Sequence, residues 1–164
     1  MRWRGCSTLP RLPWAAKRPG SYGKIGNPTD VLLIDAGVWV GARDPEDAFH
    51  ADARRLVLDF SRPVAALDLT LYEVANVMGS RRNQPREARY LLQTLAARCG
   101  DDIVAVGPEL IGFAIDAAAE YGLTAYDAAY VAAARRYGWT LVSTDIADLV
   151  SKGLAVAPDA ADYP

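Results

Sequence analysis

Hydrophobic and polar positions change rhythm several times along the chain, and each change marks an element. Val31-Leu32-Leu33-Ile34 is a short continuous apolar run rich in strand formers, the pattern of a strand buried on both faces. Pro63-Val64-Ala65-Ala66-Leu67, Ile103-Val104-Ala105-Val106 and Thr140-Leu141-Val142-Ser143 repeat that pattern, and Leu154-Ala155-Val156 offers a short fifth strand. Between these runs the spacing turns helical. Asp44-Pro45-Glu46-Asp47 predicts a helix start, with Asp44 as N-cap, Pro45 at the first position and acids in the first turn. Phe49, Ala53, Leu56, Val57 and Phe60 then share one face. Thr70 opens a helix to about Met78, and a further helix from about Pro85 to Ala97 carries Leu91, Leu92 and Leu95. Pro108 starts a helix with Leu110, Ile111, Ala114, Ile115 and Ala118, ended by Gly122. Thr124 begins an alanine-rich helix to Tyr137, with Gly138 as its C-cap. Apolar strands alternating with amphipathic helices predict an α/β fold with a mostly parallel central sheet of four to five strands flanked by helices.

Length makes this one domain: 164 residues, 51% of them apolar, are enough for a hydrophobic core and exclude a disordered chain or a fibre. No apolar run approaches the ~18–20 residues that span a bilayer, so a membrane protein is not expected. The net charge of −2 hides an asymmetry, because residues 1–29 carry six basic residues and no acid. That segment mixes Pro10, Pro13, Pro19 and Pro28 with Gly5, Gly20, Gly23 and Gly26 and has no periodic apolar face. It reads as a basic, disordered extension or a misplaced start, and lacks the apolar segment of a secretory signal. Trp3 and Trp14 keep open a second reading, an arm that touches RNA or a partner. The domain proper is expected over residues 30–164. Cys6 and Cys99 have no motif spacing and read as free thiols of a reducing cytoplasm.

The acidic body binds no polyanion by bulk charge, so chemistry on one would need a local basic patch or a metal. Parallel α/β sheets place their sites at the C-terminal edge of the strands, beside helix N-termini. Asp35 directly follows the first apolar run and Asp145 follows the fourth. Glu73 in Thr70-Leu71-Tyr72-Glu73 and Asp127 in Thr124-Ala125-Tyr126-Asp127 stand three residues after plausible N-caps. Taken singly, either pair reads better as a capping box worth about 1 kcal/mol. Together they bring four carboxylates towards one cleft, where they repel unless protonated or offset by cations. The sequence has three lysines in all, two of them in the arm, and no arginine in the apolar flanks of these sites. A hard divalent ion, Mg²⁺ or Mn²⁺, resolves the repulsion with oxygen ligands, and such an ion supports in-line hydrolysis of a phosphodiester. No serine elbow, Cys/His pair, zinc cluster, Gly-x-Gly-x-x-Gly or Walker loop competes. His50 reads as an ordinary helix residue. An aspartyl-phosphate switch at Asp35 ranks lower, because Gly37 stands where a second Asp is wanted and Lys152 falls past the last strand.

Four segments carry a family resemblance: Val31-Leu32-Leu33-Ile34-Asp35-Ala36-Gly37-Val38-Trp39, Thr70-Leu71-Tyr72-Glu73-Val74-Ala75-Asn76-Val77, Leu123-Thr124-Ala125-Tyr126-Asp127-Ala128-Ala129-Tyr130 and Leu141-Val142-Ser143-Thr144-Asp145. In order and spacing they resemble a PIN-domain ribonuclease, in particular a VapC-type toxin of bacterial type II toxin–antitoxin pairs, over about residues 31–158. The resemblance implies a single PIN-like domain, a Mg²⁺ or Mn²⁺ site and endonucleolytic cleavage of RNA in the cytoplasm. It also implies a homodimer and a cognate antitoxin that blocks the site. Residue by residue, Asp35, Glu73, Asp127 and Asp145 match the family's acidic quartet. Asp35 and Asp127 would be the most direct metal ligands, Glu73 would hold metal through water or orient the attacking water, and Asp145 would complete the site or a second ion position. Ser143 matches a small hydroxyl residue placed near the fourth acid. Gly37 departs from the pattern, which carries Ser or Thr there, so a supporting hydroxyl is expected to be missing. The alternative is a catalytically weak PIN-like module that binds RNA or antitoxin. Asp148 is expected to be a solvated turn residue rather than a substitute for Asp145.

Arg81, Arg82, Arg86 and Arg89 form the densest basic stretch outside the arm and read equally as phosphate contacts or as a solvated loop. Arg135 and Arg136 are expected to complement a helix C-terminus. Tyr72 and Tyr126 each precede an acid; packing against the helix is the expectation, base stacking the alternative.

Overall fold

The computed structural model describes residues 31–161. The readings of the basic extension, Cys6, Trp3 and Trp14 therefore lie outside the described residues.

Four short parallel strands, β1 (Leu32–Ile34), β2 (Val64–Leu67), β3 (Ile103–Val104) and β4 (Thr140–Val142), form one sheet in the order β3-β2-β1-β4. The fifth expected strand reduces to a single parallel bridge between Val142 and Val156. Both faces of the sheet are covered, as continuous apolar strands require. Leu32, Ile34, Val64, Ala66 and Val142 face one core, shared with helices α1 (Ala36–Gly41), α2 (His50–Leu58), α3 (Asp68–Val74) and α4 (Pro85–Cys99). Leu33, Ala65, Leu67, Val104 and Leu141 face the other, closed by α5 (Pro108–Tyr121) and α6 (Ala125–Tyr137). Each fully buried leucine or isoleucine of β1 contributes roughly 1.5–3 kcal/mol by leaving water. Helix α6 is alanine-rich because it is covered almost all round: Ala128 to Ala134 is a continuous buried stretch. Among the described residues no helix is long and apolar enough to cross a membrane.

Strand order places β4 on the opposite side of β1 from β2. The direction in which strands are added thus reverses between β1 and β4, the switch point at whose carboxyl ends parallel sheets place a site crevice.

Two predicted helix starts move. The Asp44-Pro45 signal does not open a helix; α2 begins at His50. Asp44 accepts from the Glu46 amide at 3.1 Å and Asp47 from the Phe49 amide at 2.8 Å, so both carboxylates close local turns that compete with the helix. Arg82 then pins Asp44 at 2.7 Å. Phe60 leaves the expected apolar face: it lies beyond the end of α2, 70% exposed, under the Arg98 guanidinium. Thr70 is not an N-cap. Helix α3 starts at Asp68, Thr70 is its third residue, and Glu73 falls in its second turn. Asp68 itself ties the sheet edge together, accepting from the Val106 amide at 3.0 Å. The helix widens into a π-helical segment over Ala75–Arg81. On α5, Leu110, Ala114 and Ala117 are buried, whereas Ile111 and Ile115, expected on the same face, are exposed.

The C-terminal glycines behave as predicted. Gly122 and Gly138 cap α5 and α6 in the left-handed region, at φ 63° and 70°. A Cβ on Gly122 would meet nothing within 4 Å. Gly122→Ala is therefore expected to cost only conformational strain, about 1 kcal/mol, seen as a lower urea midpoint at unchanged slope. The Cys99 thiol is free and buried, and burial pushes it up to about 12, as befits an unreactive core cysteine.

Candidate active site at the β1–β4 crevice

Asp35 follows β1 and caps α1. Its Oδ1 accepts from the Val38 amide at 3.0 Å, and its own amide donates to the Val142 carbonyl at 3.2 Å, which locks the turn to β4. The carboxylate is only 8% exposed. Burial is the main reason its pKa rises from 3.8 to about 6; the charge of Glu73 adds to it, while hydrogen bonds from Ser143 and Val38 oppose it. Ser143 is fully buried and joins two predicted acids: its hydroxyl bonds Asp35 and also accepts from the Asp145 amide at 3.0 Å.

Glu73 is half-buried, and Tyr130 on α6 donates to its Oε2 at 2.7 Å. The Tyr130 hydroxyl also lies 2.9 Å from Thr70 Oγ1, which accepts from the Leu67 amide at 3.2 Å. With its own proton committed to Glu73, Tyr130 must accept from Thr70. A relay thus runs from the end of β2 through Thr70 and Tyr130 to Glu73. Desolvation raises Glu73 first, Tyr130 lowers it, and the charge of Asp127 raises it again. Asp127 sits in the first turn of α6, where Thr124 is a true N-cap: its Oγ1 accepts from the Asp127 amide at 3.2 Å and donates to Asp127 Oδ2 at 2.6 Å.

Asp35, Glu73 and Asp127 are thereby linked in series by repulsion. Asp145 takes a different part. It stands at the same sheet edge, but its Oδ1 caps the π-helical turn Ile146–Val150, accepting from the Asp148 amide at 2.9 Å. Asp148 is exposed and paired with Lys152 at 3.1 Å, as expected of a surface turn residue. No Lys or Arg pairs with any of the four acids among the described residues. Nor do three or more His, Cys, Asp or Glu side chains there stand close enough to form a ready metal cluster. The donor chemistry nevertheless fits a hard divalent cation. The donors are oxygens without a competing ammonium or guanidinium, and Mg²⁺ is commonly held by one or two carboxylates with water and substrate phosphates completing the shell.

Several surrounding residues depart from expectation. Gly37 does not leave a gap: Thr144 Oγ1 stands 2.3 Å from where a Cβ of residue 37 would be, so the space a side chain would take there is filled from another part of the chain. Tyr72 and Tyr126 do not pack; they are 76% and 61% exposed. With Thr70, Val74 and Met78 forming the buried stripe of their helix, Tyr72 lies on the opposite side. Arg82 is held by Asp44, while Arg81 and Arg86 are exposed and make no ion pair among the described residues. Arg135 and Arg136 lie in the last turn of α6 and also pair with Glu120 and Glu109. His50 donates from Nδ1 to the Gly41 carbonyl, 2.9 Å away, and has no place at the site. Sequence reading missed Tyr130, whose signal was its position one turn after Asp127 on the same helical face.

Comparison with known proteins agrees with this architecture. Among curated proteins none matches by sequence. Solved structures with the same fold include a toxin–antitoxin complex from Klebsiella pneumoniae (TM-score 0.59, 20% identity, covering 77% of this chain and 97% of that one). FitAcB from Neisseria gonorrhoeae is similar at TM-score 0.60 and 17% identity, over 79% of this chain and 99% of that one. So is VapC20 of Mycobacterium tuberculosis, a sarcin–ricin-loop-cleaving toxin, at TM-score 0.58 and 22% identity, over 74% of this chain and 95% of that one. The PIN domain family matches residues 32–148, the span that holds β1, the crevice and all four acids, and the chain belongs to that family.

Proposed function

We propose that this protein is a divalent-cation-dependent endoribonuclease of the cytoplasm, the toxin of a toxin–antitoxin pair. The observation that carries the reading is Asp35: a buried carboxylate at the carboxyl end of β1 in a PIN fold, with no cationic partner among the described residues and electrostatically coupled through Glu73 to Asp127. Burying such a charge is costly unless a ligand offsets it. Asp35 and Asp127 would hold Mg²⁺ or Mn²⁺ most directly, with Glu73 and Asp145 completing the shell through water. When bound, the cation would polarise the scissile phosphate and supply a low-pKa water. The chain's own residues do the rest. Tyr130 fixes the rotamer of Glu73 and leaves its other oxygen for a water proton. Ser143 holds Asp35 from its buried side. Tyr72 and Tyr126 offer exposed rings on which splayed bases can stack, and Arg81, at the end of the π-helical continuation of the helix that bears Glu73, and Arg86, in the first turn of α4, offer phosphate contacts.

The structural neighbours include toxin–antitoxin complexes, which supports an antitoxin as partner. Exposed Ile111 and Ile115, one turn apart on α5, supply apolar surface for a homodimer or for that antitoxin. The alternative, a catalytically weak module that binds RNA or antitoxin, is favoured by one observation, the lack of a closed three-acid cluster among the described residues.

Incubation of total RNA with the wild-type protein and Mg²⁺ or Mn²⁺, followed by mapping of the new 5′ ends, tests the proposal. Discrete metal-dependent cuts are expected, lost with chelator and with Asp35→Asn. Tight RNA binding without products favours the alternative, and undiminished cutting by Asp35→Asn refutes the assigned role. For RNA grip, Arg81→Ala and Arg86→Ala are each expected to weaken binding similarly across sequences and to lower the salt slope by about 1. An unchanged slope would return these arginines to the solvated loop.

A further inference from the structure

Among the described residues, Asp35, Ser143 and Thr70 are small polar side chains buried from solvent. Asp35 and Ser143 bond each other at the end of β1. Thr70 is fully buried on α3, where a hydroxyl is costly unless both its proton and its lone pairs find partners. They do. The Leu67 amide donates to Thr70 Oγ1 at 3.2 Å, the Tyr130 hydroxyl lies 2.9 Å from the same oxygen, and Tyr130 donates to Glu73 Oε2 at 2.7 Å. The first bond fixes the sense of the others. An amide only donates, so the Thr70 proton is free for Tyr130 and the Tyr130 proton is free for Glu73. Three hydrogen bonds in series, all pointing one way, polarise one another. The placement is also reciprocal. Thr70 and Glu73 stand three residues apart on α3, and Asp127 and Tyr130 stand three apart on α6. One phenol oxygen therefore meets both members of the first pair from one turn beyond Asp127.

We propose that Thr70 is a positioning residue for Glu73, acting through Tyr130. By filling the acceptor side of the phenol, Thr70 directs the Tyr130 proton to Glu73 Oε2 and leaves Oε1 for the reacting water. The chain of bonds anchors Glu73 to the backbone at the end of β2 and ties α3 to α6, the helix that carries Asp127. This assignment rests on the reading of the site as a nuclease centre that includes Glu73.

The test combines cleavage of total RNA by excess full-length protein with Mn²⁺, thermal melts, and NMR of protein labelled with ¹³C at the tyrosine Cζ. Thr70→Val is expected to slow cleavage about tenfold, the low end of what loss of an orienting partner costs, and Thr70→Ser to restore the wild-type rate. The Cζ resonance of Tyr130, assigned by its loss in Tyr130→Phe, should shift in Thr70→Val and stay in place in Thr70→Ser. A purely structural role is separated by the double variant Thr70→Val/Tyr130→Phe. Its rate should equal that of Tyr130→Phe alone, because Thr70 acts only through the phenol, while its melting temperature falls further with the partner of the Leu67 amide gone. A wild-type rate in Thr70→Val, rate losses that multiply in the double variant, or an unmoved Tyr130 resonance overturns the assignment and leaves the nuclease reading in place. Absence of metal-dependent cleavage by the wild type overturns the nuclease reading and this assignment with it.

Discussion

Asp35→Asn should abolish RNA cleavage and, in the metal-free protein, raise the melting temperature. The activity loss follows from the proposed role: a metal contributes several kcal/mol of transition-state stabilisation, on the order of a thousandfold in rate. The stability gain follows from the carboxyl's displacement from 3.8 to about 6, caused first by burial. A raised pKa means that the folded state holds the proton more tightly than the unfolded chain. Ionised Asp35 therefore weakens the fold. The penalty is absent below about pH 4, grows between about pH 4 and 6, and is complete above about pH 6, at roughly 2–3 kcal/mol. Asparagine removes the charge and keeps the acceptor that caps α1 through Val38. For a domain of this size the midpoint should rise by roughly 5–10 °C near neutral pH and barely change near about pH 4. Calorimetry in chelator at both pH values checks this. A lower midpoint at neutral pH would mean that the fold itself requires the charge.

Tyr130→Phe should have the second-largest effect. Its hydroxyl is buried and engaged at both ends, accepting from Thr70 and donating to Glu73. Phenylalanine preserves the packing but strands the Thr70 proton and frees the Glu73 rotamer. An unsatisfied buried group costs about 1–3 kcal/mol, and loss of a partner that orients a metal-site ligand typically costs 10–100-fold in activity. The hydrogen bond from Tyr130 also lowers the Glu73 pKa, so its removal should move the acid limb of the rate profile to higher pH. Rate–pH profiles and thermal melts of the two proteins separate these effects. A melting loss with unchanged rate at every pH would make Tyr130 a core residue only.

These effects turn on features that differ in how plainly the sequence displays them. The strands were legible because β1 and its partners are buried on both faces and so appear as unbroken apolar runs. The position of Asp35 followed at once, since a carboxylate directly after such a run falls at the sheet edge. Helix starts were less legible. Asp44 and Asp47 hold backbone amides in turns as readily as they cap a helix, and nothing local distinguishes the two uses. Thr70 looked like a cap because of its spacing from Glu73, yet tertiary contact with Tyr130, 60 residues away, decides its role. The same limit applies to Thr144. Gly37 reads as an absence in the sequence, and only the folded chain brings a hydroxyl into the space. Ile111 and Ile115 fit an apolar stripe by spacing, but the helix turns Leu110, Ala114 and Ala117 inward instead.

Anomalous scattering from crystals soaked in Mn²⁺ reaches the central claim most directly. The account predicts a single strong peak within coordination distance of Asp35, bordered by Glu73 and Asp127, and its disappearance in Asp35→Asn crystals. A crevice without manganese, or an ion held only by surface acids such as Asp52 or Asp116, would contradict it.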